Sequence, residues 1–288
     1  MVRKILKIAV AIFFLAGALS LTACTQDANE TAATPEEPTT QAPEETPLRP
    51  LEGTIMEHIR ENPIQLLQLS PLTPGEELAI LHTNKGDITL RFFPDEAPRA
   101  VENFKTHARN GFYDGVIFHR IIPNFMIQGG CPNGTGTAGQ SIWGEPFDTE
   151  RSFNLRHFNG AVAMAHAGPN TIGSQFYIVH NHELNRNSVM DFERTIAQQD
   201  EPLGVFEDGH RMYLRDLHPE AEMRHFIEHG GTPHLDWFWA QGHPHPVFAH
   251  VVDGMDVVDA IASTPRGSGD RPLEDIVIER ISFFYYGS

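Results

Sequence analysis

The chain has 288 residues, 40% of them hydrophobic, 9% aromatic and 20% charged. That composition excludes collagen-like, coiled-coil and wholly disordered chains and leaves room for one large domain or two small ones. With 38 acids against 21 bases the formal net charge is −17, which repels a phosphate backbone and argues against nucleic acid as a partner. Two cysteines, Cys24 and Cys131, cannot staple a disulfide scaffold.

The chain opens with a basic start, Arg3, Lys4 and Lys7, followed by an apolar run from Ile8 to Ala23. The run is shorter than the ~20 residues that cross a bilayer. It ends in Leu21-Thr22-Ala23-Cys24, the layout of a cleaved signal peptide over residues 1–23. The ending resembles the lipobox of bacterial lipoproteins, which implies that Cys24 becomes the lipid-bearing N-terminus; the alternative is an ordinary secretory signal. Thr25 to Pro50 is rich in Thr, Pro, Glu, Ala and Gln and has almost nothing to bury. Residues 24–50 are therefore expected to be an extended, disordered tether whose acids are repelled by an anionic membrane surface. The expected location is the extracytoplasmic side of a cell membrane.

Leu51 to Ser70, within a lead-in of residues 51–77, is a weak amphipathic stretch consistent with a short helix. Leu78 to Asn84, a Lys85-Gly86 turn and Asp87 to Phe93 predict a hairpin, with Ile88, Leu90 and Phe92 on its buried face. Pro98 to Asn110 predicts a helix: Ala97, Val101, Phe104 and Ala108 form one stripe, Pro98 suits the first turn and Gly111 the exit. Val116 to Gln128, Ala161 to Ala165, Gln175 to His180 and Val247 to Val252 are apolar runs of strand length. Met255 to Ser263 predicts a second short helix and Asp275 to Tyr286 a last strand. Many short strands with two helices point to a mainly β fold, a closed barrel with helical caps.

Three blocks carry a resemblance. They are Phe118-His119-Arg120-Ile121-Ile122-Pro123-Asn124-Phe125-Met126-Ile127-Gln128-Gly129-Gly130, the stretch from Met164-Ala165-His166-Ala167-Gly168-Pro169-Asn170 through Gly173-Ser174-Gln175-Phe176-Tyr177-Ile178, and His245-Pro246-Val247-Phe248-Ala249-His250-Val251. Together they resemble the signature segments of the cyclophilins, a class of peptidyl-prolyl cis/trans isomerases. The resemblance runs from about Leu78 to about Phe283 within a domain of residues 78–288. It implies a closed eight-stranded antiparallel barrel capped by two α-helices, with the active site on its outer face, and substrates that are proline-containing polypeptides.

The expected chemistry needs no nucleophile, metal or cofactor. Rotation about an X–Pro bond is held back by amide resonance, a barrier of ~18–20 kcal/mol, and no bond breaks. The resemblance makes Arg120 the catalytic cation at the prolyl nitrogen, a task that suits a permanently charged planar fork. It makes Gln128 the side chain that fixes the substrate carbonyl and the arginine. It implies a proline pocket of Phe125, Met126, Tyr177 and Leu235, with His245 at the family's active-site histidine. It also implies a groove lined by Gly134, Ala165, His166, Ala167 and Gln175, whose backbone groups bind an extended peptide as an added strand does.

The chain departs from the family pattern in places. Tyr177 stands where phenylalanine is usual, so its hydroxyl needs a partner. His166 stands where asparagine is common. Cys131 replaces a frequent acid and reads as a small buried structural thiol. An insertion spans residues 181–244, with helical patterns at Val189, Phe192 and Ile196 and again at Met223, Phe226 and Ile227. The family's tryptophan tied to cyclosporin binding falls on His234, which speaks against cyclosporin; a second register puts Trp239 there and restores it. Ten of the 16 histidines lie between His180 and His250. His225 and His229, with Glu222 or Glu228, and the pair His243 and His245 could hold a zinc-like ion, but no closed set of ligand spacings appears and no metal is expected. The alternative is a polar surface insertion that gains charge below pH ~6.5. Two other functions stay open: a non-catalytic peptide-binding or chaperone module on the same fold, and a metal-scavenging lipoprotein.

Overall fold

The computed structural model of the chain describes residues 64–182, 204–205, 211–218, 220–239 and 244–288. The signal, Cys24, the tether, most of the lead-in and the insertion's Val189, Phe192, Ile196 and His243 lie outside the described residues.

Strands β1 (Glu77–Thr83) and β2 (Gly86–Phe92) form the expected hairpin, turning at Asn84 and Lys85 with Gly86 opening β2. Helix α1 (Pro98–Arg109) follows. Ala97, Val101, Phe104 and Ala108 are all buried, as their spacing requires, and Glu150 accepts from the Arg99 and Ala100 amides at 2.9 and 2.8 Å to satisfy the helix start. The run from Val116 to Gln128 is not one strand. It folds back at Pro123-Asn124, where Asn124 adopts φ 58°, into β3 (Arg120–Ile122) and β4 (Phe125–Gly129). Proline fixes one turn residue and asparagine tolerates the left-handed one, so turn chemistry overrides hydrophobic continuity. Then come β5 (Ala161–Met164), β6 (Phe176–His180), the short pair β7 (Gly204–Val205) and β8 (Arg211–Met212), helix α2 (Glu220–His229), β9 (Val247–Asp253), helix α3 (Met255–Ala262) and β10 (Ile278–Tyr285).

Eight of these strands form one antiparallel sheet in the order β10-β1-β2-β9-β5-β6-β4-β3. The expected closed barrel is corrected to a curled open sheet, because β3 and β10 are its edges and do not pair as strands. Backbone bonds at the start of β10 and just before both strands bridge the gap: Phe118 N–H donates to Ile276 O at 2.9 Å and Ile278 N–H to Val116 O at 2.8 Å. Among the described residues two α-helices, α1 and α3, accompany the sheet as expected, and α2 lies in the insertion, where helical pattern was also expected.

Period-2 alternation divides the strands. Ile127, Phe176, Ile178, Val162 and Met164 face inward and join Val101, Phe104, Val258 and Ile261 of the helices in the main core. Met126, Tyr177, Val179, Ala161 and Ala163 face outward and build a second cluster with Phe93, Leu155, Leu235 and Val247.

The described part of the insertion around α2 is docked on the body. Fully buried Arg156 pairs with buried Glu222 of α2 at 2.8 Å and donates to Leu217 O at 2.7 Å. Burial opposes ionisation of Glu222, but the adjacent Arg156 guanidinium overrides it and holds the carboxyl below its ordinary range. Phe226 stacks edge-on to Phe158 at 4.8 Å. The chain returns through Gly230-Gly231, both with positive φ; a Cβ on Gly230 would lie 1.8 Å from Asn181 O. Only glycine lets the backbone pass there. Most of the stretch expected as a lead-in helix lies outside the described residues; its described end forms a 3-10 turn at Leu67–Leu69, which buried Gln68 clamps by exchanging bonds with the Arg156 backbone at 2.7 and 2.9 Å.

Candidate active site

One register row crosses four strands on the outer face. Arg120 of β3 is opposite Gln128 of β4, Gln128 is opposite Tyr177 of β6, and Tyr177 is opposite Ala163 of β5. Directly opposed residues hold their Cβ atoms ~4.5–5.5 Å apart. Residues separated by up to 57 positions thus line up as a half-exposed cation, an amide, an aromatic ring and a small floor residue. The next row adds Ile122, Met126 and Val179.

Met126, Tyr177 and Leu235 are buried at 2%, 5% and 7% exposure, and half-buried Phe125 packs against them. His234 stacks on the Phe125 ring at 5.8 Å. His245 meets the Tyr177 ring edge-on at 5.4 Å and stacks on His166 at 4.1 Å. Burial, with His166 and His157 nearby, pushes the His245 imidazole down to about 3, so the ring is neutral at physiological pH.

Tyr177 finds the partner its hydroxyl requires. Its oxygen is 3.0 Å from His157 Nε2, and His157 Nδ1 is 2.6 Å from Asp236 Oδ1. Asp236 also accepts from the His157 backbone N–H. All three are buried. With Asp236 accepting from Nδ1–H, Nε2 is the acceptor for the tyrosine, whose hydroxyl is engaged in this buried network. Burial, helped by the Asp236 charge, pushes the phenol well above its ordinary range. Since Asp236 follows Leu235, the same network ties the end of the insertion to the pocket.

Beside this row lies a groove of about 390 Å³ lined by Gln128, Gln175, Ala165, His166, Ala167 and the segment from Gly136 to Gly139. Gln175 orders it: its amide donates to Gly136 O and Ala138 O at 3.0 and 2.8 Å, and its oxygen accepts from Gln128 at 2.9 Å. Gly134 is not among the residues lining this groove: it is buried against Ile117 and its carbonyl accepts from Arg271, while residues further along its loop, from Gly136, line the groove. The amides of Ala165 and Ala167 are already bonded to Gln175 O and Thr171 Oγ1, so these two N–H groups are not offered to a peptide along this segment. Polar groups reaching out of the core set the groove walls. Asn103 of α1 bonds Gly173 O and the Ile142 amide, and Tyr113 bonds Ser174 O.

Sequence reasoning missed Asp270, 3.7 Å from Arg120 Nε and held at φ 60°. It missed His157 and Asp236 as well, although an unsatisfied hydroxyl at Tyr177 was the signal that called for them. Cys131 is the expected buried thiol, accepting from the Gly136 amide at 3.2 Å. Burial raises its pKa, but backbone N–H groups of Ala138, Gly136, Thr135 and Asn133 outweigh that and lower it. His225 and His229 do share a face of α2, with ring centroids 4.5 Å apart. Glu222 is committed to Arg156 and His218, which leaves Glu228, whose carboxylate lies 3.8 Å from His229 Nε2, as the acid beside this pair. Several of the histidines read as surface residues are buried, among them His180 and His218.

A family model described as cyclophilin type peptidyl-prolyl cis-trans isomerase/CLD matches residues 78–196 and 214–283. A Staphylococcus aureus protein provisionally named as a peptidyl-prolyl cis-trans isomerase is 44% identical over 207 residues, 72% of this chain and 91% of that one. A Staphylococcus saprophyticus protein of the same name is 43% identical over 215 residues, 74% and 95% of the two chains. Among solved structures, a Cryptosporidium parvum cyclophilin type peptidyl-prolyl cis-trans isomerase superposes with TM-score 0.52 at 25% identity, covering 73% of this chain and 98% of that one. A second structure of it, in the presence of the dipeptide Ala-Pro, gives 0.50 at 26% identity, covering 71% and 96%. The chain belongs to the cyclophilin-type peptidyl-prolyl cis-trans isomerase family.

Proposed function

We propose that the chain accelerates X–Pro rotation in exported polypeptides, anchored by a lipid on Cys24 and held off the membrane by its tether. The observation that carries the catalytic part is the Arg120-Gln128-Tyr177-Ala163 row, which sets a permanent cation beside an apolar pocket on one rigid face.

The proline ring enters between Phe125, Met126, Tyr177 and Leu235, where burial of its methylenes provides the grip. His245 and the Tyr177 hydroxyl, engaged by His157, keep the pocket free of charge. Arg120 donates to the prolyl nitrogen as it becomes pyramidal, drawing its lone pair out of resonance. The bond is stronger in the twisted state than in either planar one, which is the condition for catalysis. Gln128, oriented by Gln175, holds the substrate carbonyl. The flanking residues lie along the groove by Ala165 to Ala167. The Ala-Pro dipeptide present with the Cryptosporidium relative is of the substrate class this pocket fits.

NMR exchange spectroscopy on short X–Pro peptides, with the full chain and its Arg120→Ala variant, tests the proposal. The expected result is fast exchange that drops by about 100-fold in the variant, the size of losing one directed transition-state donor. Peptide binding without acceleration would leave a binding module instead. For the anchor, Cys24→Ser is expected to move the protein from the membrane fraction to the soluble fraction.

A further inference from the structure

A group of side chains apart from the register row brings together the donor types of a metal centre. His180 ends β6, His182 lies two residues on, and Asp259 projects from α3. His180 Nε2 stands 3.1 Å from Asp259 Oδ1, and His182 Nε2 stands 2.5 Å from the same oxygen. One ligand atom from each residue lies within 4.8 Å of the other two. We propose that His180, His182 and Asp259 bind a divalent transition ion of the zinc class.

Two imidazoles and a carboxylate are borderline donors, matched to zinc rather than to calcium or magnesium, which favour oxygen cages. A tetrahedral ion with bonds of about 2.0–2.2 Å places its ligand atoms roughly 3.4 Å apart, so small movements suffice to admit it. His180 is buried and held by its strand, whereas His182 and Asp259 are each 44% exposed and leave an approach and a fourth position open to water. The first ligand is fixed and the other two can close on the ion.

Binding has a stereochemical consequence. The Asn124 amide donates to His180 Nδ1 at 3.3 Å, and Asn159 Nδ2 faces His182 Nδ1 at 3.1 Å. In the metal-free protein each Nδ1 is therefore the acceptor, and each Nε2 carries the proton that it donates to Asp259. Coordination through Nε2 moves those protons to Nδ1. His180 then opposes the Asn124 N–H, and that bond must break. Asn124 forms the turn of the β3-β4 hairpin and precedes Phe125 of the apolar pocket, so metal at this site reaches the pocket through one amide.

Titration of the metal-stripped full chain with zinc alone, by calorimetry and by backbone amide NMR, tests the site. The expected result is one equivalent bound, with affinity reduced at least 10-fold in both His182→Ala and Asp259→Asn, unchanged in His229→Ala, and a shifted Asn124 amide. Both deleted groups are half-exposed, so neither variant endangers the fold. Absence of saturable binding overturns the site, as does one equivalent that survives both variants or one that His229→Ala abolishes. Tight binding that leaves the Asn124 amide unmoved refutes coordination through His180 Nε2.

Discussion

The two faces of the sheet are cut from the same strands by alternate residues, yet they are built differently. The inner face is packed by rings and branched side chains against α1 and α3, and Phe104 alone meets Phe92, Tyr113, Phe176 and Phe248. Its few polar atoms reach outward to fix loops. The outer face has a smaller apolar cluster interleaved with Arg120, Gln128, the Tyr177-His157-Asp236 network and neutral His245. A core gains from every buried methylene, whereas a site must hold polar groups in one orientation beside an apolar hollow and satisfy each one by a named partner. The pleat lets the chain do both with one set of strands.

The contrast can be broken from either side. The largest effect is expected from Phe104→Ala, which empties the inner face and should cost about 3–5 kcal/mol in denaturant unfolding. Activity per folded molecule should be unchanged, because no outer-face residue moves. Arg156→Met, which leaves Glu222 buried without its guanidinium, should cost about 3 kcal/mol or more by the same measurement. It should also loosen the return of the insertion through Leu235 and Asp236, so KM for X–Pro peptides should rise.

Acid should act on the outer face and the insertion first. Burial, with His166 and His157 facing it, holds His245 at about 3; burial, with His225 and Arg91 facing it, holds His250 at about 3. An unfolded histidine titrates near 6.5, so below that pH the unfolded chain takes up protons that the fold refuses. Stability is therefore full above pH ~6.5 and falls toward pH ~3, by up to about 1.4 kcal/mol per pH unit for each such group. Thermal melts across this range check the sign; a protein that becomes more stable on acidification would contradict it.

The smallest effect is expected from Tyr177→Phe. It keeps the ring in the pocket and strands His157 Nε2, at a cost of about 1–3 kcal/mol in stability. kcat should change little and KM somewhat more, since the hydroxyl is engaged by His157.

Several features were legible from residue order alone. The stripe Ala97, Val101, Phe104 and Ala108 gave α1 and its buried face, because helical spacing is local. Alternation gave the inward set of β2. The blocks around Arg120, Tyr177 and His245 carried the family and most of the candidate positions, because those residues sit at fixed short spacings within single strands and loops. The fold of the run from Val116 to Gln128 was masked, since its hydrophobic continuity hid a turn that proline and asparagine impose.

By itself, then, the sequence determined the local periodicities, the site residue types and the family. Only the tertiary structure decided that the sheet stays open with a bridged seam, and that Arg156 and Glu222 pull α2 of the insertion into the body. It also decided that Tyr177 is answered by His157 and Asp236, and that His182, and His180 with it, meets Asp259 from 77 residues away or more. Each of these is a contact between residues distant in the chain, selected because a buried polar group must find a partner. No spacing along the sequence records which partner the fold brings within reach.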